Sequence, residues 1–282
     1  MQRILVTDST SDLNPSFLEQ HNVHIVPLSV TVNGKSYVDQ EEISSETYTD
    51  YLEDDNNDLK TSQPPLGRFV ETYEKLTKDG AEVISIHLSS GLSGTYQTAV
   101  QASEMVDGKV TVIDSKSITY GLGYQLQHII QWIEEGLATE TIVEKVHQLQ
   151  KNIKLYVVIG KLDRLIKGGR ISKAKGMLGN LMKIKPVGVL IDGNLEIIHS
   201  SRTQGACAKY LAKDLATFLG NDKIKSAAIV HANANDFLDK VKDKIEETFD
   251  FSNFDTNFTT PIISTHTGTG AIGVVVLKEQ NS

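Results

Sequence analysis

The first half of the chain alternates between short apolar segments and segments in which apolar residues recur at helical spacing. Arg3–Thr7, Val83–Leu88 and Val110–Ile113 have the pattern of buried strands, and a helical pattern follows each of them. Repeated strand-then-helix units predict a parallel sheet with helices on both faces. Between the first two strands, Asn33-Gly34 predicts a tight hairpin turn, which indicates a small β-excursion.

The second half has a different rhythm. Val187–Ile191 and Leu195–Ser200, joined through Asp192-Gly193, predict a β-hairpin. The other expected elements are helices at Leu162–Lys167, Ser172–Met182, Gln204–Leu219 and Asp236–Glu247, and strands at Leu155–Ile159, Ala227–His231 and Ala271–Leu277. We therefore predict an α/β fold of two domains: a parallel-sheet, Rossmann-like domain over residues 1–152 and an α+β domain over residues 153–282. Because no low-complexity linker separates them, we expect the two domains to pack along a ligand cleft.

Small hydroxyl residues follow the N-terminal strands. The longest such stretch is Ser89-Ser90-Gly91-Leu92-Ser93-Gly94-Thr95, which precedes a helix expected from Tyr96. Its glycines allow close approach of the backbone, the helix start offers N–H groups with partial positive charge, and the hydroxyls add donors. At the carboxyl end of a parallel strand this chemistry favours an anion. Ordinary helix capping and turn formation explain the same residues, so that interpretation stays open.

Two further stretches carry similar chemistry. Thr61-Ser62-Gln63-Pro64-Pro65 places two hydroxyls and an amide in a predicted proline-stiffened loop ahead of a helix. Thr265-His266-Thr267-Gly268 places an imidazole among threonines in a predicted loop before the last strand. Each stretch alone is equally explained by a structural role.

Composition removes several classes of function. The net charge of −8 argues against a nucleic-acid partner, since such binding depends on Lys and Arg neutralising phosphates. The single cysteine, Cys207, excludes an internal disulfide and a multi-cysteine zinc site, and it fits a cytoplasmic location. No apolar run approaches the ~20 residues needed to span a bilayer.

Known catalytic motifs do not fit well. The chain lacks a P-loop, a Gly-x-Gly-x-x-Gly after the first strand and any His-Glu-x-x-His, so we predict no nucleotide cofactor and no metal. Gly91-Leu92-Ser93-Gly94-Thr95 misses a nucleophile elbow because its second glycine comes one residue early. A serine esterase or thioesterase stays as the alternative, with Ser93 as nucleophile, His266 as base and Asp8 or Asp114 orienting it. The hydroxyls, the histidine and the backbone amides favour holding an anionic head group over cleaving a bond.

Five stretches taken together resemble the DegV family. They are Thr7-Asp8-Ser9-Thr10-Ser11-Asp12-Leu13, Thr61-Ser62-Gln63-Pro64, Ser89-Ser90-Gly91-Leu92-Ser93-Gly94-Thr95, Gly168-Gly169-Arg170-Ile171 and Thr265-His266-Thr267-Gly268. The resemblance implies a two-domain protein that encloses one long-chain fatty acid and has no catalysis of its own. In FakB members, it further implies presentation of the carboxylate to a separate ATP-dependent fatty acid kinase, which forms an acyl phosphate for phospholipid synthesis. Transient contact with a membrane fits such a role.

The resemblance also implies which residues bind. Thr61, Ser93 and His266 would hold the carboxylate, with Ser62 beside them; the adjacent loop residues are Gly94, Thr95, Thr265, Thr267 and Gly268. Arg202 matches a position that faces the kinase, and Arg170 and Lys173 are assigned to the same face. Neutral donors suit a carboxylate that must still attack the γ-phosphate of ATP, so an arginine at the head group would count against that step.

Overall fold

The computed structural model describes residues 2–170 and 184–279. The helices in these residues are α1 (Pro15–Gln20), α2 (Ser45–Glu53), α3 (Leu66–Thr77), α4 (Thr95–Ser103), α5 (Tyr120–Glu134), α6 (Thr139–Gln150), α7 (Leu162–Gly168), α8 (Gln204–Leu219), α9 (Asn235–Phe249) and α10 (Pro261–Thr267). The strands are β1 (Arg3–Thr7), β2 (His24–Ile25), β3 (Ser29–Val32), β4 (Lys35–Val38), β5 (Leu59–Ser62), β6 (Glu82–His87), β7 (Val110–Asp114), β8 (Ile153–Val158), β9 (Lys185–Ile191), β10 (Asn194–Ser201), β11 (Ile224–His231), β12 (Phe254–Phe258) and β13 (Ile272–Lys278). The predicted helix Ser172–Met182 and the candidate residue Lys173 lie outside the described residues.

The N-terminal region contains a parallel four-stranded sheet in the order β2-β1-β6-β7. Successive residues of β6 face opposite sides: Val83 belongs to the same core cluster as Phe69 of α3, while Ile84 belongs to a different cluster that includes Leu122 of α5. Both faces are therefore covered by helices, which explains why this strand is apolar without alternation. The predicted parallel α/β architecture is confirmed.

A small antiparallel sheet in the order β4-β3-β5 is inserted after β2. Asn33 and Gly34 make its predicted turn, with φ of 50° and 85°. The expectation of a loop at Thr61 and Ser62 is wrong, because both residues belong to β5 and pair with Val30 and Ser29. Sheet pairing fixes this backbone more firmly than the prolines that follow it.

The C-terminal region contains a mixed six-stranded sheet in the order β10-β9-β8-β13-β11-β12. Helices α8 and α9 cover one face, where Tyr156 and Val158 of β8 are buried. Leu155 and Val157, which alternate with them, point to the opposite face and join the core of the N-terminal region. The predicted α+β region with its hairpin is confirmed.

Two elements of this region were not predicted. β12 is a polar edge strand, Phe254-Asp255-Thr256-Asn257-Phe258, which lacks an apolar run. α10 begins at Pro261 after Thr260, and it includes the stretch expected to be the His266 loop. That expectation is corrected: His266 lies on the last turn of a short helix, because proline at the first helical position starts it.

The largest core cluster runs through both regions and includes Leu28, Ile118, Val157 and Ile262. The parallel sheet and the mixed sheet therefore share the core cluster that lies between them. The domain boundary after residue 152 stays a prediction. Within residues 2–170 and 184–279, none of the helices combines the length and apolar character needed to cross a bilayer.

Candidate functional site

A cavity of about 320 Å³ lies between the parallel sheet and the mixed sheet. This volume is in the size range of ligand pockets. Its apolar lining residues are Leu28, Leu88, Leu92, Ile118, Val157, Leu165, Leu190, Leu195, Ile262 and Ile263. Its polar lining residues are Thr61, Ser62, Gln63, Ser93, Arg170, His266 and Thr267. An apolar space with a few polar groups suits a molecule that has a long apolar part and one polar head.

Thr61 and His266 form the central polar pair of this cavity. β5 supplies Thr61, α10 supplies His266, and 2.9 Å separate Thr61 Oγ1 from His266 Nε2. His266 Nδ1 is buried without a hydrogen-bond partner in the described part of the chain. If Nε2 carries the proton, the ring donates to Thr61, and the Thr61 hydroxyl proton is left to donate to a ligand oxygen.

The environment of His266 keeps its ring neutral. Burial of the ring, followed by the positive charge of Arg170, lowers the pKa of His266 to about 4. At neutral pH the side chain therefore acts as a hydrogen-bonding group and carries no charge. Gly168 packs against the ring so closely that a Cβ there would overlap Nδ1.

We expect the neutral state of His266 to be visible in solution. In the lipid-free protein, its imidazole nitrogen resonances should stay those of a neutral ring from pH 8 down to pH 5.5, whereas a histidine of the urea-unfolded chain titrates near 6.5. Between these two pKa values only the unfolded chain binds the proton, so folding stability should fall as pH falls from about 6.5 towards 4. His266→Gln should remove that part of the pH dependence. Titration of the native ring near pH 6.5 would contradict the prediction.

Ser93 lies in the loop between β6 and α4. Its Oγ is 2.9 Å from Thr95 Oγ1 and accepts a hydrogen bond from the Thr95 N–H at 3.3 Å. Asp8, at the end of β1, holds the start of this loop by accepting from the Leu88 N–H at 2.8 Å. Ser89 Oγ donates to the carbonyl of Gly193 at 2.7 Å, which ties the loop to the hairpin of the C-terminal region.

A serine, a histidine and an aspartate do form a chain, but at another place. Ser85 Oγ is 2.7 Å from His87 Nε2, and His87 Nδ1 is 3.2 Å from Asp8 Oδ2. All three residues are 0% exposed, and the Tyr73 hydroxyl donates to Ser85. A substrate has no access to Ser85, so we interpret these hydrogen-bonded side chains as a structural network within the parallel sheet.

The alternative with Ser93 as nucleophile needs His266 as its base. In the described residues the hydrogen bond of His266 Nε2 goes to Thr61, and that of Ser93 Oγ goes to Thr95. Ser93 and His266 line the same cavity, but the geometry gives Ser93 no hydrogen-bonded base.

The other predicted residues separate into two groups. Ser62 and Thr267 line the cavity, whereas the lining residues do not include Gly94, Thr95, Thr265 and Gly268. Thr265 instead contacts the Tyr48 hydroxyl at 2.6 Å and donates to the carbonyl of Pro261. Gly94 precedes α4, and Gly268, with φ of 75°, ends α10. These glycines shape the loops around the cavity without forming its wall.

The two basic candidates in the described residues, Arg202 and Arg170, lie in different places. Arg202 is exposed between β10 and α8, away from the cavity lining. Arg170, grouped with it from the sequence, lines the cavity and donates to the carbonyls of Leu92 at 3.1 Å and Gly168 at 2.6 Å. The expectation of a wholly neutral head-group environment is therefore wrong, although these two hydrogen bonds direct the guanidinium to the main chain.

Gln63 is a cavity residue that sequence reasoning did not select. Its amide donates to Thr98 Oγ1 at 2.6 Å, and Gly94 leaves room for its side chain. The signal was its position beside Thr61 and Ser62 in the motif. Over the described ranges, no cluster of three or more His, Cys, Asp or Glu side chains has a geometry that could hold a metal ion.

The comparisons with known proteins agree with one another, because each match described below is to DegV proteins. A family model described as "Uncharacterised protein, DegV family" matches residues 4–279. A DegV domain-containing protein of Staphylococcus aureus is 58% identical over 278 residues, which cover 99% of this chain and 99% of that protein. A DegV family protein from Thermus thermophilus, described as fatty acid binding, has a TM-score of 0.91 and 28% identity, with 99% of this chain and 100% of that chain covered. DegV from Bacillus subtilis, described as a fatty acid binding protein, has a TM-score of 0.89 and 30% identity, with 99% and 100% covered.

Proposed function

Since this chain belongs to the DegV family, we propose that it binds one long-chain fatty acid and presents the carboxylate to a separate fatty acid kinase. The observation that carries the first part is the cavity between the two sheets, with apolar walls and the Thr61–His266 pair among its polar residues. Fatty acid binding by the structurally similar proteins of T. thermophilus and B. subtilis supports it.

The energetics support a tightly held acyl chain. Each buried methylene contributes about 0.8 kcal/mol, so a tail of about 16 methylenes gives on the order of 12 kcal/mol before the cost of ordering the chain. A carboxylate buried without partners would cancel much of this gain. Thr61, Ser93 and His266 are the donors that we assign to it, and Ser62 and Gln63 lie in the same lining.

Presentation to an ATP-dependent kinase rests on the resemblance to FakB proteins. In this proposal the kinase converts the carboxylate to an acyl phosphate for phospholipid synthesis, and the protein works in the cytoplasm with transient membrane contact. Arg202 is our kinase-facing residue, because its side chain is exposed and lies outside the cavity. A neutral His266 supports the carboxylate as nucleophile. Arg170 in the same lining counts against this step to the extent that its guanidinium leaves the carbonyls of Leu92 and Gly168.

Identification of the bound lipid tests the proposal. Protein purified under mild conditions should release a long-chain fatty acid in near one-to-one ratio when it is denatured and analysed by mass spectrometry. Absence of lipid, even after incubation with oleate or palmitate, would overturn the binding function. Acyl phosphate formation with a fatty acid kinase and ATP tests presentation separately. Arg202→Glu should slow that reaction and leave oleate affinity unchanged.

A further inference from the structure

The loop after β1 makes another connection between the two regions, centred on Asp12. This residue is only 8% exposed. Its Oδ1 accepts a hydrogen bond from the Thr260 N–H at 2.9 Å, and 3.1 Å separate its Oδ2 from Thr259 Oγ1. Thr259 and Thr260 form the short link between β12 and α10. One side chain of the N-terminal region thus holds the start of the helix that carries His266.

The backbone around Asp12 is fixed as well. Asn257 of β12 donates from Nδ2 to the Asp12 carbonyl at 3.3 Å and to the Tyr120 hydroxyl at 3.0 Å. Asp12 has φ of 53°, a left-handed conformation that aspartate tolerates better than most residues with a Cβ. The surrounding hydrogen bonds maintain this conformation and point the carboxyl group at the helix start.

Helix α10 transmits this position to the cavity. It has 7 residues, so its first and last turns are nearly adjacent, and a shift at Thr260 moves His266 with it. We propose that Asp12 is a positioning residue for the bound carboxylate, because its hold on Thr259 and Thr260 sets where His266 meets Thr61. This inference rests on the fatty-acid-binding function proposed above.

The charge state of Asp12 defines the informative substitution. Burial raises the pKa of Asp12 to about 8, against the lowering effect of the hydrogen bonds from Thr260 and Thr259, and the nearby charge of Asp39 raises it further. The Asp12 carboxyl group is therefore mostly protonated at pH 7, and asparagine is its neutral isostere.

The other titratable groups around Asp12 are acidic or phenolic. Burial raises the pKa of Tyr120 on α5, and the nearby charges of Asp255 and then Asp12 raise it further. The groove beside Asp12 is also lined by acidic side chains, and its lining in the described residues includes no Lys, Arg or His; the acids are Asp8, Asp39, Glu41 and Glu46. Burial also raises the pKa of Asp39 to about 7. Between about pH 4 and pH 8 only the folded chain holds the Asp12 proton, so wild-type stability should fall as pH rises across that range, and the Asp12→Asn protein should lack the share that Asp12 contributes.

Oleate affinity measured in two backgrounds tests the inference. At pH 7, Asp12→Ala should weaken binding roughly tenfold, since it removes both hydrogen bonds to the start of α10, and the helix recovers part of the loss by relaxing. Asp12→Asn should restore affinity to within about twofold, because it keeps an acceptor for Thr260. Asp39 is a buried carboxyl in the same groove, and its side-chain hydrogen bonds in the described residues go to Ser9 and Gln40, so Asp39→Asn is the matched control and should leave affinity unchanged.

The decisive measurement repeats Asp12→Ala in a His266→Ala protein. A positioning role predicts no further loss there, and it also predicts a shifted His266 imidazole resonance in Asp12→Ala with His266 present. An equal loss in both backgrounds, or unchanged affinity in folded Asp12→Ala, would overturn the inference. If Asp12→Ala does not fold, Thr259→Val deletes one of the two contacts and should reduce affinity about threefold. Wild-type protein that binds no oleate would instead refute the proposed function.

Discussion

Leu190→Trp is expected to reduce the affinity for oleate by about 100-fold. Leu190 is on β9, and its side chain forms part of the cavity wall. An indole in its place occupies room that the acyl chain needs. Excluding about four methylenes at about 0.8 kcal/mol each costs roughly 3 kcal/mol of binding free energy. Displacement of a fluorescent fatty acid by oleate measures the change.

The next residue of the strand gives a matched control. Ile191 is 45% exposed and points to the other side of β9, away from the cavity lining. Ile191→Trp adds the same indole to the same strand and should leave affinity within about twofold. Unchanged oleate affinity in folded Leu190→Trp protein would mean that the acyl chain lies elsewhere. A parallel urea unfolding curve separates a filled cavity from a damaged fold.

Gly168→Ala should weaken oleate binding by about 10-fold to 100-fold without any change in a polar group. Gly168 is the last residue of α7, and a Cβ there would overlap the His266 ring. The ring must rotate or shift, and its contact with Thr61 is then lost. A hydrogen-bonding group that serves a carboxylate is worth about 1.5–3 kcal/mol, which sets the expected range. Isothermal titration with oleate is the measurement.

The explanation through His266 can be separated from a general effect on the fold. Gly67 of α3 has open space around it, so Gly67→Ala is the control and should leave affinity unchanged. In a His266→Ala protein, Gly168→Ala should cost little, because the displaced ring is absent and the freed space accepts the methyl group. The same loss in both backgrounds would show that Gly168 acts through the main chain of α7.

The sequence predicts correctly those elements that depend on the local pattern of residues. The runs at β1, β6 and β7 predicted the parallel sheet, because a strand covered on both faces must be apolar throughout. Asn33-Gly34 predicted its turn because each residue tolerates positive φ. The hydroxyl-rich stretches predicted an anion site, and the fold brings Thr61, Ser93 and His266 to one cavity, although they are far apart in the chain.

The remaining features depend on tertiary contacts. β12 is a strand because it pairs with β11, and its polar residues alone do not predict this. The family resemblance placed Arg170 on the same face as Arg202, but the hydrogen bonds to Leu92 and Gly168 bring it to the cavity. The start of α10 is an exception, since Thr260 followed by Pro261 is a helix-start signal that the sequence itself contains. Asp12 gave no such signal, since its role depends on a contact with a residue 248 positions away.

Residues of both regions line the cavity, so its contents should affect the thermal stability of the protein. An acyl chain between the two sheets would be a removable piece of interior, in contact with Leu28 and Ile118 on one side and Val157 and Leu195 on the other. A ligand that binds only the native form raises the melting temperature, as a cofactor does, and the increase grows with the free ligand concentration. Delipidated samples should therefore have a lower melting temperature. Because the apolar surfaces on the two sides of the cavity then pack less well, these samples should also aggregate more readily. Thermal scans before and after lipid extraction would then report occupancy without any label.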